Sequence, residues 1–187
     1  GRAVAFPERV RLKFARSFAN AAAQEPKGET SCLVEQGGRF RCSVPGTGLD
    51  LRISAEGFAP QYWWQAAVRP SGKLELGPLR LVPGSSLAGW LLTEEGSPPK
   101  PVDIVLSILP QGLADAQDAK QDAMRSFASV EAKVLPSGFF QVNSLRAGNY
   151  TLRITSNRYA ESRTPIQLVE GLESNLRDPI LLQPPPM

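Results

Sequence analysis

The chain has 187 residues, of which 42% are hydrophobic and 21% charged, and its formal net charge is +3. These values are typical of a folded, water-soluble chain with one large or two small domains. Histidine is absent, which excludes Ser-His-Asp and Cys-His catalysis and removes the commonest zinc ligand. Basic residues are spread singly, so nucleic-acid binding is not expected. No apolar run approaches the roughly 18 residues of a membrane-spanning helix.

Taken in chain order, the first half consists of short strands separated by turns. Residues 15–28 are rich in alanine and predict a loop or short helix. Gln36-Gly37-Gly38 predicts the loop of a hairpin. Alternation of apolar and polar residues predicts strands at 10–14, 30–35, 39–44, 49–54, 61–68 and 74–81.

The second half likewise consists of short predicted strands separated by turns and loops. Residues 94–101 contain three prolines and predict a turn, because proline cannot donate to a central ladder. Residues 112–125 predict a polar loop or short helix, whose Asp115, Asp118 and Asp122 indicate a solvated surface more strongly than a cation site. Strands are predicted at 87–93, 102–109, 126–135, 139–143, 150–155, 165–169 and 179–182.

The two halves repeat each other at an offset of about one hundred residues. Gly38-Arg39-Phe40 aligns with Gly138-Phe139-Phe140, and Leu51-Arg52-Ile53 aligns with Leu152-Arg153-Ile154. The pattern predicts two all-β domains, 1–83 and 84–187. The first strand of the first domain is shorter in this alignment, since only Ala3 to Phe6 correspond to Leu87 to Leu91 of the second domain. The N-terminal strand of the first domain is therefore expected to be incomplete.

Seven short strands in each half predict two tandem Ig-like or transthyretin-like β-sandwich domains. The run from Ser137 to Phe140, the run from Gly148 to Ile154 and Arg158-Tyr159-Ala160 resemble the carboxypeptidase regulatory-like family. The resemblance covers nearly all of 85–184 and implies a transthyretin-like (prealbumin-like) sandwich that serves as an accessory module outside the cytoplasm. Such a module carries no catalytic zinc, and we expect no metal or cofactor.

The two cysteines predict a disulfide between Cys32 and Cys42. If Gln36-Gly37-Gly38 forms the hairpin loop, counting outwards from Glu35 and Arg39 places Cys32 opposite Cys42. Directly opposed strand residues have Cα atoms about 4.5–5.5 Å apart, which a disulfide accepts. Two reduced, buried cysteines are the alternative. The bridge would favour an oxidising, extracytoplasmic location.

The candidate contact residues all lie in the first domain. In Tyr62-Trp63-Trp64, the middle side chain faces opposite to the other two, so one side belongs to the core and the other can contact a partner or a sugar. Arg39, Arg41 and Arg52 are expected on the outer face, as solvated side chains or as a surface for an anionic partner.

No nucleophile–base pair is visible, so the chain is interpreted as a non-enzymatic structural or interaction module of a secreted or cell-surface protein. One alternative is a carbohydrate-binding module centred on Tyr62, Trp63 and Trp64. Another is an assembling filament subunit, in which an open edge of the first domain accepts a strand. Ala3 to Phe6 or the proline-rich C-terminal tail would supply that strand. The expected partners are accordingly a protein or a second copy, or a glycan, without nucleic acid or membrane insertion.

Overall fold

The computed structural model describes residues 7–16, 27–44, 48–66, 74–113, 124 and 127–185. The chain separates into two compact units, 1–83 and 84–187, and both are built almost entirely from β-strands. Asp115, Asp118, Asp122 and the segment Ala3 to Phe6 lie outside the described residues.

The described residues of unit 1 form an antiparallel four-stranded sheet, in the order β2-β1-β3-β4. Its strands are β1 (Arg9–Arg16), β2 (Lys27–Leu33), β3 (Leu49–Ser54) and β4 (Gln61–Ala66). Alternate side chains of β1 and β3 point to one face, and there they form the core: Val10, Leu12, Phe14, Leu49, Leu51 and Ile53 are all at least nine-tenths buried.

Unit 2 contains two sheets that enclose a larger core. The first sheet has the order β10-β9-β6-β7, and in the second, β5 lies between β8 on one side and β11 and β12 on the other. The strands are β5 (Ser85–Thr93), β6 (Ile104–Pro110), β7 (Val130–Ala132), β8 (Phe139–Leu145), β9 (Gly148–Ser156), β10 (Ser162–Leu168), β11 (Glu173–Asn175) and β12 (Ile180–Leu182). The described helical structure includes short 3-10 turns at Pro101–Asp103 and Gln111–Leu113.

In strands β8 and β9, alternation predicts that Phe140, Val142, Tyr150, Leu152 and Ile154 face the core and that Gln141, Thr151 and Arg153 face outwards, and this facing is largely confirmed. Phe140, Val142, Leu152 and Ile154 are buried and Gln141 is exposed, as expected from the period of two. In unit 1, Leu51 and Ile53 are buried as predicted, whereas Phe40, also predicted to be buried, is half-buried. Tyr150 is only half-buried, and Thr151 and Arg153, expected to be exposed, are half-buried because β6 and β10 flank β9 on both sides.

Several predicted strands are wrong in extent. Residues 39–44 and 74–81 align with strands of unit 2 but do not form strands themselves. The strand predicted at 126–135 is reduced to Val130–Ala132, and residues 102–103 belong to a 3-10 turn whose first residue is Pro101. β11 has no strong strand pattern, and it forms only because β5 offers it a free edge. The missing strands at 39–44 and 74–81 and the added β11 reflect whether a partner strand is present, which local sequence does not encode.

The two units share the same sheet order and the same backbone hydrogen bonds. The order β2-β1-β3-β4 corresponds to β7-β6-β9-β10. Two backbone hydrogen bonds recur at the predicted offset: Glu35 N to Arg39 O (2.7 Å) with Leu135 N to Phe139 O (2.8 Å), and Ala59 N to Val82 O (2.9 Å) with Ala160 N to Gln183 O (2.9 Å). The aligned positions of the two units can therefore be compared residue by residue.

Candidate functional site

A disulfide joins Cys32 to Cys42, as the sequence predicts. The register is the expected one, since Glu35 donates to Arg39, Val34 bridges to Phe40, and the two cysteine Cα atoms are 5.5 Å apart. The glycines of the hairpin loop, Gly37 and Gly38, have φ values of 84° and 78°, a region that favours glycine. The bond ties the segment 39–44 to β2.

The Tyr62-Trp63-Trp64 cluster on β4 divides between the two faces of the sheet. Trp63 lies opposite Leu51 and packs, partly buried, against the core of unit 1. Tyr62 and Trp64 project from the other face, with their rings stacked at a centroid distance of 5.7 Å and an interplanar angle of 10°. The stacking occupies one face of each ring.

Arg52 is the predicted arginine that joins the aromatic pair. It lies directly opposite Tyr62, and its guanidinium carbon is 5.9 Å from the Tyr62 ring centroid. On its other side, Arg52 is opposite Lys13 of β1. The outer face of the unit 1 sheet therefore presents stacked aromatic rings beside basic groups, a cation–π arrangement of the surface type.

The same place in unit 2 holds an ion-pair cluster. Arg153 lies opposite Arg163, and Glu161 accepts hydrogen bonds from both, at 2.7 and 2.6 Å. Hydrogen bonds from Arg153 and then Arg163 lower the pKa of Glu161 below its ordinary value of 4.5. Unit 1 has Tyr62 in place of Arg163 and Pro60 in place of the acid, so the two outer faces differ in chemistry.

Arg39 and Arg41 are not brought into a ladder with Arg52. They are exposed on the segment that follows the hairpin, whereas Arg52 belongs to the central strand β3 of the sheet. The corresponding hairpin in unit 2 leads from the first sheet at β7 to the second sheet at β8. The expected single arginine surface is therefore not formed by one strand ladder.

A second feature, the open edge, is evident when the two units are aligned. We define it as residues 39–44 and 79–82 of unit 1, which correspond to β8 and β12 of unit 2. In unit 2 these two elements flank β5, with β8 antiparallel to it and β12 parallel. Within the described part of unit 1, no strand lies between the two segments, and neither one forms a ladder.

Burial of aligned side chains shows the consequence of this difference. Phe140, Val142 and Leu182 are 0%, 6% and 1% exposed in unit 2, where their strands flank β5 and their side chains belong to the core cluster. Their counterparts Phe40, Cys42 and Leu81 are only half-buried. Further half-buried apolar side chains pack against the same core: Val34, Val44, Leu74, Leu76 and Leu79. In the described part of unit 1, a strip of half-buried apolar side chains therefore lines the open edge.

Sequence reasoning missed one apolar surface in unit 2. Trp90 is 47% exposed and its ring lies 5.0 Å from that of Phe139, which is directly opposite on β8. Leu181 of β12 is 55% exposed and lies opposite Leu92. The signal was present, since Trp90 falls on the polar phase of β5 between the buried Gly89 and Leu91.

Among the described residues, no group of three or more His, Cys, Asp or Glu side chains is placed to hold a metal ion. The described chain also contains no helix with the length and apolar character needed to cross a membrane.

No family model matches the chain, and no curated protein matches it. Among solved structures, the chain is similar to GBS52, the minor pilin of Streptococcus agalactiae, at 11% identity and a TM-score of 0.36, covering 97% of this chain and 86% of that one. It is also similar to the shaft pilin SpaA of Lactobacillus rhamnosus GG, at 11% identity and a TM-score of 0.34, covering 98% and 91%. Both TM-scores are low, so the proposals below rest on the geometry of this chain alone.

Proposed function

We propose that the chain is a non-enzymatic interaction module of a secreted or cell-surface protein, and that unit 1 binds its partner by accepting a β-strand at the open edge. The observation that carries this proposal is the difference in burial between aligned core positions. Phe140 and Val142 are buried in unit 2, where β8 pairs with β5, whereas Phe40 and Cys42 are half-buried. An added strand would cover these side chains and would bind through main-chain hydrogen bonds.

The disulfide supports this interpretation because it holds one side of the edge in place. In unit 2, Ala132 and Val142 occupy the positions of the two cysteines, so there is no disulfide at this point. There β8 is held instead by its ladder with β5. In unit 1 the Cys32–Cys42 bond ties segment 39–44 to β2 at the same point. A preformed edge loses less conformational entropy when a strand binds. The bond also supports an extracytoplasmic location.

β5 indicates the kind of strand that the edge would accept. It has nine residues, of which Leu87, Gly89 and Leu91 are buried on one face; on the other face Ala88 is also buried, whereas Trp90 is exposed. Gly89 lies opposite Phe140, and a Cβ there would be 2.8 Å from the Phe140 ring. The accepted strand should therefore be extended and apolar on one face, and should avoid a bulky side chain opposite Phe40.

A synthetic peptide with the β5 sequence, residues 85–93, tests the proposal. Two lysines added at its C-terminus keep it soluble, and an N-terminal fluorophore reports binding to the full chain by anisotropy. We expect saturable one-to-one binding, together with slower amide exchange at 40–44. Absence of binding by a correctly folded, disulfide-bonded chain would overturn the proposal.

Two matched controls distinguish strand addition at the open edge from non-specific hydrophobic binding of the peptide. A peptide carrying Gly89→Val should bind at least about tenfold more weakly, because its side chain would meet Phe40. The chain variant Leu79→Asp should likewise bind the original peptide more weakly, because it places a charge on the apolar edge. Val102→Asp, at a fully solvated position of unit 2, should bind like the parent chain. Equal binding by all combinations would contradict an edge-specific site.

A further inference from the structure

We propose that the outer face of the unit 1 sheet binds an acidic protein segment, with one carboxylate held where Glu161 lies in unit 2. This contact is separate from strand addition at the open edge. It centres on Arg52 of β3 and Arg11 of β1. Both side chains point away from the core, because each alternates with buried apolar residues of its strand.

Unit 2 shows how this face holds a carboxylate. Glu161 precedes the edge strand β10 and accepts hydrogen bonds from Arg153 and Arg163. Arg52 occupies the position of Arg153 in unit 1, whereas Pro60 occupies that of Glu161. Unit 1 therefore retains the central arginine of the cluster and lacks the acid that neutralises it.

The contacts of Arg52 do not replace this ion pair. Its guanidinium carbon lies 5.9 Å from the Tyr62 ring centroid, and its Nε is buried without a hydrogen-bond partner. The Nε of Arg153 is likewise unpaired. The interaction that Arg52 lacks is therefore the one that Arg153 makes through Nη2 with its acid.

The acids on the outer face of the unit 1 sheet lie elsewhere. Asp50 precedes Arg52 by two residues and is 1% exposed, and Glu29 lies opposite Lys13, two strands away from Arg52. No described acid forms an ion pair with Arg52. Because a half-buried guanidinium has lost part of its hydration, it should attract a partner's carboxylate more strongly than a fully solvated arginine would.

Arg11 adds a second charge to this surface. It is exposed, and it lies opposite two neutral residues, Ser31 of β2 and Ser54 of β3. Unit 2 has Val105 in its place. Arg52 lies diagonally from Arg11, at a Cα separation of about 7–8 Å. Alternate residues of an extended chain are about 7 Å apart, so an extended segment with acids at positions i and i+2 can contact both arginines.

Fluorescence anisotropy with a labelled peptide tests the proposal on the full, disulfide-bonded chain. The probe alternates glutamate with serine, and a matched peptide carries glutamine in place of each glutamate. We expect saturable binding of the glutamate peptide that weakens with added salt, and at least about tenfold weaker binding of the glutamine peptide. Equal binding of the two peptides, or no binding of either, would overturn the proposal.

Chain variants locate the contact. Arg52→Gln should weaken binding of the glutamate peptide at least about tenfold, because it removes the central ion pair. Arg11→Glu should also weaken it at least about tenfold, and it lies at an exposed position that tolerates a polar residue. Arg41→Glu is the matched control, since it makes the same change of charge at an exposed position on the segment after the hairpin. It should bind nearly like the parent chain.

Urea denaturation establishes that each variant is folded before its binding is compared. Equal losses for Arg11→Glu and Arg41→Glu would indicate attraction by net charge alone and would overturn the site. Parent-like binding by a folded Arg52→Gln variant would do the same. A short single-stranded DNA that binds as tightly as the glutamate peptide, and loses binding in the same variants, would overturn the acidic protein segment as the partner.

Discussion

Gly138 and Leu91 approach each other closely through their backbones in unit 2. The Leu91 amide donates a 2.9 Å hydrogen bond to the Gly138 carbonyl, and a Cβ on Gly138 would overlap the Leu91 carbonyl oxygen. Gly138 also has a φ of 83°, which side-chain-bearing residues rarely adopt. The glycine of the hairpin turn thus allows β5 to lie against β8.

Gly138→Ala is predicted to destabilise unit 2 by at least about 1–3 kcal/mol, the range for backbone strain, with the overlap on Leu91 adding to it. Gly96→Ala is the matched control, since Gly96 has a φ of 75° but no atom within 4 Å of a Cβ. It should show the conformational cost alone, about 1–2 kcal/mol, whereas Gly138→Ala should exceed it because of the overlap with Leu91. Urea denaturation followed by Trp fluorescence measures both, and equal losses would contradict the steric explanation.

Leu152→Ala is predicted to cost about 2–5 kcal/mol, because Leu152 is fully buried between the two sheets of unit 2. Leu181→Ala makes the same chemical change at a position that is 55% exposed, and it should change the free energy of unfolding by less than about 1 kcal/mol. Chemical denaturation of the two variants provides the comparison. A similar loss for both would show that the facing of β9 and β12 is misassigned.

The double variant Cys32→Ala, Cys42→Ala is predicted to lower the free energy of unfolding of unit 1 by about 2–3 kcal/mol, the chain-entropy value for a short closed loop. It should also weaken binding of the 85–93 peptide, because segment 39–44 would lose its tie to β2. Intact mass under non-reducing conditions checks the parent chain. Two free thiols in freshly purified, oxidatively expressed protein would contradict the disulfide.

Glu161→Gln is predicted to destabilise unit 2 at neutral pH by at most about 1 kcal/mol, because the ion pairs with Arg153 and Arg163 are partly solvated. The pKa of Glu161 is lowered in the folded state, so its contribution is fully present above the ordinary value of 4.5 and is lost as pH falls through the lowered folded pKa. The difference between parent and variant should therefore vanish in acid. The exposed Glu170→Gln serves as the control, and a difference that persists in strong acid would contradict this assignment.

Trp63→Ala is predicted to destabilise unit 1 more than Trp64→Ala, because Trp63 packs against the core while Trp64 is 42% exposed. Neither substitution should alter binding on a glycan array, since stacking with Tyr62 occupies a face of the Trp64 ring. Binding of a glycan by the parent chain that is lost in Trp64→Ala would establish the carbohydrate alternative instead.

Local sequence was sufficient to predict side-chain facing and cysteine pairing, because the physical rules for both act over a few neighbouring residues. The alternation in Phe140 to Val142 and in Leu152 to Ile154 determines which side chains enter the core, because neighbouring strand residues point to opposite faces. The hairpin count that opposes Cys32 to Cys42 depends only on the loop at Gly37 and Gly38. The offset between aligned glycines and aromatics likewise predicted the shared sheet order.

Only the tertiary structure decided which strand-like segments find partners. Residues 39–44 alternate as clearly as those of β8. Of these two segments, β8 forms a ladder because β5 lies beside it, whereas 39–44 forms none in the described chain. Spatial neighbours also decided that Arg52 meets Tyr62 while Arg153 meets Glu161, and that Trp90 meets Phe139 on an exposed face. A strand's hydrogen bonds and half of its burial come from chain segments distant in sequence, so a local pattern indicates what a segment can form, and the partner determines whether it does.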